Sequence, residues 1–202
     1  MKSSLPQTKN SNTFFKAFKI TLPVLFGYLA IGIAFGLVLI EKGYPWWLAP
    51  LTSIVIFAGA GQFVAVPLFA ANTPISAILV TELLLNIRHI VYGLSLINKF
   101  NKCGKYKPYL IFALTDETYS LLTTTEIPED ADTGKFCFTI AALDQSYWVF
   151  GSILGTLIGS LIPFSLTGVD FALTALFIVL FIDQIQKLFD RRKNNLQTGG
   201  TL

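Results

Sequence analysis

Long uncharged apolar runs, divided by short polar gaps, organise this chain. Positions 21–40 hold twenty residues without an Asp, Glu, Lys or Arg, and 46–71 form a second uncharged run. Positions 75–97 and 136–162 are long apolar runs that contain a few polar residues, while 109–125 and 171–185 are shorter. A helix needs about 20 apolar residues to cross a hydrocarbon core. Four of the six segments meet that length and two are marginal. Runs of this length without strict alternation are not barrel strands, and helices are the other way to satisfy a backbone in lipid. The pattern predicts an all-α, polytopic integral membrane protein with about six hydrophobic helical segments, some of them broken or re-entrant. One transmembrane domain is expected over 14–189, flanked by polar tails at 1–13 and 190–202. The gaps at 41–45, 71–74, 98–108, 126–135 and 163–168 are short, and Asp170 is placed to cap the last helix.

Composition agrees with the pattern. The chain is 53% hydrophobic and 13% charged, against about 25% charged in an ordinary soluble domain. The first apolar stretch follows lysines, as in a signal peptide. It is longer than an h-region of about 7–15 residues and no small-x-small site follows it, so it reads as a retained first helix. Phe14, Phe15 and Phe18 among Lys16 and Lys19 form an interfacial lead-in. Cys103 and Cys137 have no metal-ligand spacing. The net charge of +3 sits mainly in the tails and one loop, which fits contact with anionic lipid rather than nucleic acid. No nucleotide-binding, hydrolase or zinc motif is present, so no cofactor or metal is expected.

Polar residues inside apolar segments are costly and are therefore functional candidates. The first group is Gly59, Ala60, Gly61, Gln62 and Phe63, flanked by Pro50 and Pro67. Two glycines and an amide at mid-segment are the composition of a discontinuous helix, whose free N–H groups can bind a carboxylate. The alternative is an unbroken helix with a packing contact. In the third segment Glu82, Asn86, His89 and Gly93 share one helical face, with Glu82 nearer one end, where it could be an interfacial charge. Arg88 points elsewhere and needs its own carboxylate. Asp116, Glu117 and Asp144 are the candidates, for a structural or a transport role alike. His89 is the single histidine, a hydrogen-bonding group or a proton relay. Asp116 and Glu117 are adjacent and would repel if both ionised, so either one has a raised pKa suited to reversible protonation, or they project to different faces, or both lie in water at the interface. Asp144 and Gln145 precede Tyr147 and Trp148, which could be pocket walls or belt aromatics. Gly27, Gly32 and Gly36 are echoed by Gly151, Gly155 and Gly159, as a repeated half or as ordinary close helix packing.

Taken in order, these residues resemble the AzlC family, large subunits of bacterial branched-chain amino-acid permeases or exporters. The resemblance is carried by Pro23 with Gly27, Gly32, Phe35 and Gly36; by Gly59–Phe63; by Asn86, Ile87, Arg88 and His89 followed by Tyr92 and Gly93; by Thr115, Asp116 and Glu117; and by Trp148 with Gly151 and Gly155. It covers roughly 20–190 of the chain. It implies a secondary transporter that works with a small hydrophobic AzlD-type subunit in a bacterial inner membrane. The implied substrates are valine, leucine, isoleucine and, by extension, methionine, and the implied direction is export. Members of that family continue with hydrophobic sequence beyond 171–185, whereas this chain ends in a polar stretch. A short natural form, a truncated product and a form completed by its partner all fit.

A zwitterion needs two poles of recognition. Gly59–Gly61 or Arg88 could take the carboxylate, and Asp116, Glu117 or Asp144 the ammonium. Tyr28, Phe63 and Trp148 could surround the side chain, with a proton exchanged at Asp116 or Glu117. Two rival readings are a non-transporting assembly or regulatory subunit and, with weaker support, an intramembrane enzyme using His89 and the carboxylates.

Charge patterning sets the topology. Lys2, Lys9, Lys16 and Lys19 put the N-terminus in the cytoplasm, and Lys187, Arg191, Arg192 and Lys193 put the C-terminus there too. Six plain crossings would then leave Lys99, Lys102, Lys105 and Lys107 outside. If one segment of each half only dips into the membrane, all three basic clusters lie inside; 46–71 is the candidate in the first half. Cysteine-accessibility labelling across 99–107 should therefore report an inside location, and outside-only labelling would rule out the dipping arrangement.

Overall fold

The computed structural model describes residues 9–128, 131–161 and 178. The chain divides into two compact units, Met1–Pro163 and Phe164–Leu202, and the architecture below is that of the first. The expected turn at 163–168, the Asp170 cap, the segment 171–185 apart from position 178, the 190–202 tail and positions 1–8 lie outside the described residues.

Among the described residues the fold is helical throughout. The first helix, α1, runs from Lys9 to Glu41 and takes in the end of the polar leader. It is followed by α2 (Leu48–Val55) and α3 (Gly59–Ala70), then α4 (Ile75–Asn86) and α5 (Arg88–Ser95), and a short α6 (Ile97–Phe100). A 3-10 turn at Gly104–Tyr106 leads into α7 (Lys107–Phe112), then α8 (Asp116–Thr124) and the long α9 (Thr133–Leu161). Two expected segments are thus interrupted. The run 46–71 is split between α2 and α3, and 109–125 between α7 and α8. The run 75–97 is interrupted more mildly, because Ile87 between α4 and α5 keeps helical dihedrals (φ −57°, ψ −28°). Two helical stretches, Thr13–Glu41 and Ile75–Ser95, are long and apolar enough to cross a membrane.

The crossing of α1 and α9 is built from the two glycine stripes. A Cβ on Gly32 would meet the Gly151 Cα and the Ser152 nitrogen, each at 3.1 Å. One on Gly36 would overlap the Ser152 carbonyl oxygen, and one on Gly155 the Ile33 carbonyl oxygen. Backbone therefore touches backbone, the close approach that small residues allow in apolar surroundings. The echo between Gly32/Gly36 and Gly151/Gly155 is the two sides of one contact. Gly27 stands apart, with nothing within 4 Å of its would-be Cβ. Beside the crossing, Tyr28, Phe35, Phe63 and Trp148 pack together. Phe35 stacks on Trp148 at 6.0 Å between centroids, and Tyr28 meets Trp148 edge-on at 5.5 Å.

The opposite character marks α4 and α5. Leu79, Val80, Leu83, Leu84, Ile90, Val91 and Leu94 are exposed, an apolar outer face suited to lipid. Their inward positions carry the polar residues discussed below.

A leucine at Gly36 has no room at the crossing. Gly36→Leu should lower stability by about 1–3 kcal/mol or more, the usual range for overpacking, and Gly27→Leu should leave it unchanged. Thermal unfolding of the two variants in detergent checks this contrast.

Candidate functional site

The first interruption lies immediately before Gly59. The Ile56 and Phe57 amides both turn back to the Thr52 carbonyl, at 2.8 and 3.3 Å. Phe57 then takes φ +45°, a left-handed conformation that is uncommon for a bulky residue. Its ring is buried and meets Tyr28 edge-on. The break is therefore at 56–58, one residue ahead of the glycines, which occupy the first turn of α3. Their role is spatial. Trp148 covers Gly59, where a Cβ would lie 3.1 Å from the indole, and the Glu82 carboxylate presses on Gly61. The start of α3 carries no side-chain cap, so its first-turn N–H groups form the positive end of a helix.

Side chains join the interrupted pieces. The Gln62 amide donates to Thr52 Oγ1 at 3.0 Å and Ser53 Oγ at 3.3 Å, and accepts from Trp148 Nε1 at 3.0 Å. Gln145 from α9 donates to the Ile54 carbonyl at 3.1 Å, satisfying the end of α2, and accepts from the Tyr109 hydroxyl at 2.6 Å. Gln62 was expected on a substrate path, and its polar atoms are occupied in tying α2, α3 and α9 together. Tyr28, Phe63 and Trp148 were expected around a substrate side chain, and they form the closed aromatic cluster described above.

The polar face of α4 and α5 meets this region. Asn86 donates to Glu82 Oε2 at 3.0 Å, and both side chains lie against Gly61. Glu82, expected on the polar face with an interfacial charge as the alternative, is half-buried here and its Oε1 has no hydrogen-bond partner. The His89 ring lies edge-on to Tyr92 at 5.9 Å. Arg88 meets Asp116 Oδ2 at 2.7 Å, with 23% of each side chain exposed. Arg88 Nε and Asp116 Oδ1 are buried without hydrogen-bond partners.

The second interruption sets the remaining carboxylates. Thr115 is extended (φ −98°, ψ 176°) and caps α8 by accepting from the Thr118 amide at 3.3 Å. Asp116 and Glu117 then occupy the first turn, where negative charge opposes the helix dipole favourably. They project to different partners, the second of the expected arrangements. Asp116 takes Arg88, and Glu117 Oε2 accepts from the Tyr28 hydroxyl at 2.7 Å. Asp144 is not the partner of Arg88. It is fully buried on α9 and accepts from Thr118 Oγ1 at 2.8 Å. Thr115 and Thr118 were not among the sequence candidates. Thr115 followed by two acids does carry a helix-start signature, whereas nothing in sequence marks Thr118.

Comparison with known proteins places the chain in a family. The family model of AzlC proteins matches residues 23–162. The chain belongs to the AzlC family. Among its relatives, the branched-chain amino acid transport protein AzlC of Bacillus subtilis (strain 168) is 41% identical over 175 residues, covering 86% of this chain and 68% of the relative. An uncharacterized membrane protein of Helicobacter pylori (strain ATCC 700392 / 26695) is 41% identical over 178 residues, covering 86% and 78% respectively. The inner membrane protein YgaZ of Escherichia coli (strain K12) is 30% identical over 198 residues, covering 96% and 81%. No solved structure matches the chain. The match spans both interruptions, the Arg88–Asp116 pair and the α1–α9 crossing. This AzlC protein is an all-helical membrane protein with a role in membrane transport.

Proposed function

We propose that this AzlC protein is the large subunit of a secondary transporter that moves branched-chain amino acids across a bacterial inner membrane, in the direction of export, together with a small AzlD-type hydrophobic subunit. The substrate class is supported by the Bacillus subtilis relative, a branched-chain amino acid transport protein. The observation that carries the reading at the site is the half-open ion pair. Arg88 and Asp116 hold each other by one contact at 2.7 Å, while Arg88 Nε and Asp116 Oδ1 remain without partners.

Such a pair suits a zwitterion. An α-carboxylate can replace Asp116 on the guanidinium, and the α-ammonium can replace Arg88 on the carboxylate. One internal ion pair is exchanged for two to the substrate, so neither charge is left bare in apolar surroundings. The exchange takes place beside the broken α7–α8 segment, at the α5 residue next to His89. The uncapped start of α3 with Glu82 offers a second, adjacent set of polar groups. The apolar side chain of valine, leucine or isoleucine is assigned to the cluster of Tyr28, Phe63 and Trp148. That cluster is closed here, so admission requires its rings to part. Interrupted helices are the elements on which transporters commonly build their substrate sites.

In proteoliposomes containing this chain and its small partner, the double variant Asp116→Asn/Glu117→Gln should reduce valine flux to the level of empty vesicles. Expression and assembly should be retained. Valine flux equal to that of the unaltered pair would remove these residues from the transport path.

A further inference from the structure

The polar residues between α8 and α9 form a chain whose hydrogen count does not close. Glu117, Tyr28, Thr115, Thr118 and Asp144 follow one another at oxygen–oxygen distances of 2.7, 2.7, 3.1 and 2.8 Å. That makes four links. Three hydroxyls stand between the two carboxylates, and each brings one hydrogen. With both carboxylates ionised, three hydrogens must serve four links, and one link becomes a bare contact between oxygens. The amide of Thr118 does not repair the count, because it donates to Thr115 Oγ1 from the side.

One proton closes the chain. Placed on Glu117, it gives hydrogens running from Glu117 through Tyr28, Thr115 and Thr118 to Asp144. Placed on Asp144, it reverses every link. Passing from one state to the other, each oxygen gives its hydrogen to the next and receives one from the last. As many O–H bonds form as break, and the net change is one proton moved from one carboxyl to the other. A separate observation points to a bound proton. Asp144 is 0% exposed, and its Oδ1 has no hydrogen-bond partner. An ionised carboxylate held by a single hydroxyl is expensive to bury. The ionisable groups acting on Glu117 include Asp116 and Arg88, and those near Asp144 include Tyr28, Tyr109 and Tyr147. The cation of this set, Arg88, is already engaged by Asp116.

We propose that Glu117 and Asp144 hold one proton in common through Tyr28, Thr115 and Thr118, and that its passage along this chain couples proton movement to transport. The coupling rests on the transport reading above; the sharing of the proton does not.

Infrared spectroscopy of the full chain in lipid at neutral pH tests the sharing. The expected result is that Asp144→Asn and Glu117→Gln each remove one protonated-carboxyl C=O band. An amide end brings its own hydrogens, so the chain closes and the remaining carboxyl ionises. Loss of the band in one variant only would assign the proton to a single residue and overturn the proposal, as would loss in neither. Should an amide variant fail to fold, Thr118→Val is expected to shift the band and Thr118→Ser to leave it in place. A band unmoved by Thr118→Val also overturns the proposal. In proteoliposomes with the partner, protons moved per valine should fall at least tenfold in Thr118→Val and hold in Thr118→Ser; an unchanged ratio in Thr118→Val overturns the coupling. If the unaltered pair moves no valine, the transport reading fails, and with it the coupling, while the infrared result still decides the sharing.

Discussion

A helix that stops within an apolar segment leaves N–H and C=O groups that must find partners in the protein, because hydrocarbon offers none. Two such stops, before α3 and before α8, shape everything else in this fold. Gln145 satisfies the end of α2, Gln62 spans its break, and Thr115 caps α8. Each of these partners comes from a different place along the chain. The breaks can exist only because α1 and α9 cross at backbone contact and bring α9 alongside both. Without glycine at positions 36 and 155, the Gln145, Trp148 and Asp144 side chains could not stand where the interruptions need them.

The same constraint distributes the charges. Asp116 and Glu117 are neighbours in sequence, yet they occupy the opening turn of α8 and reach different elements. One meets the guanidinium on α5 and the other the phenol on α1. This divides the polar interior into two connected parts. The ion pair keeps open atoms of both signs, which suits a zwitterion. The hydroxyl chain ends on two carboxylates and lacks one hydrogen, which suits a proton. Substrate and proton would thus be handled by adjacent residues of one helical turn, a short path along which binding at one can bias the other.

Much of this was legible in the sequence. The uncharged runs gave the helices, and Gly59–Gly61 marked the first break to within a residue, because glycine there has two visible causes, a weakened helix and close neighbours. Arg88 announced a carboxylate partner by its depth alone. The partner itself was not legible, since three carboxylates were equally eligible until the break at 113–115 turned α8. Gln62 and Trp148 stood out as candidates, but their bond to each other was not legible, because an amide and an indole look alike in sequence whether they meet a substrate or one another. Thr118 carried no signal, for a threonine on an apolar helix is ordinary until its hydroxyl is seen against a buried aspartate.

The claim on which the rest leans is that Arg88 and Asp116 compensate each other across α5 and α8. A double-mutant cycle on thermal stability in lipid, with Arg88→Ala, Asp116→Ala and both together, measures that directly. The account predicts that each single change leaves an unpaired charge and destabilises, and that the double variant is more stable than the sum of the two by about 0.5–3 kcal/mol. Effects that simply add would contradict it.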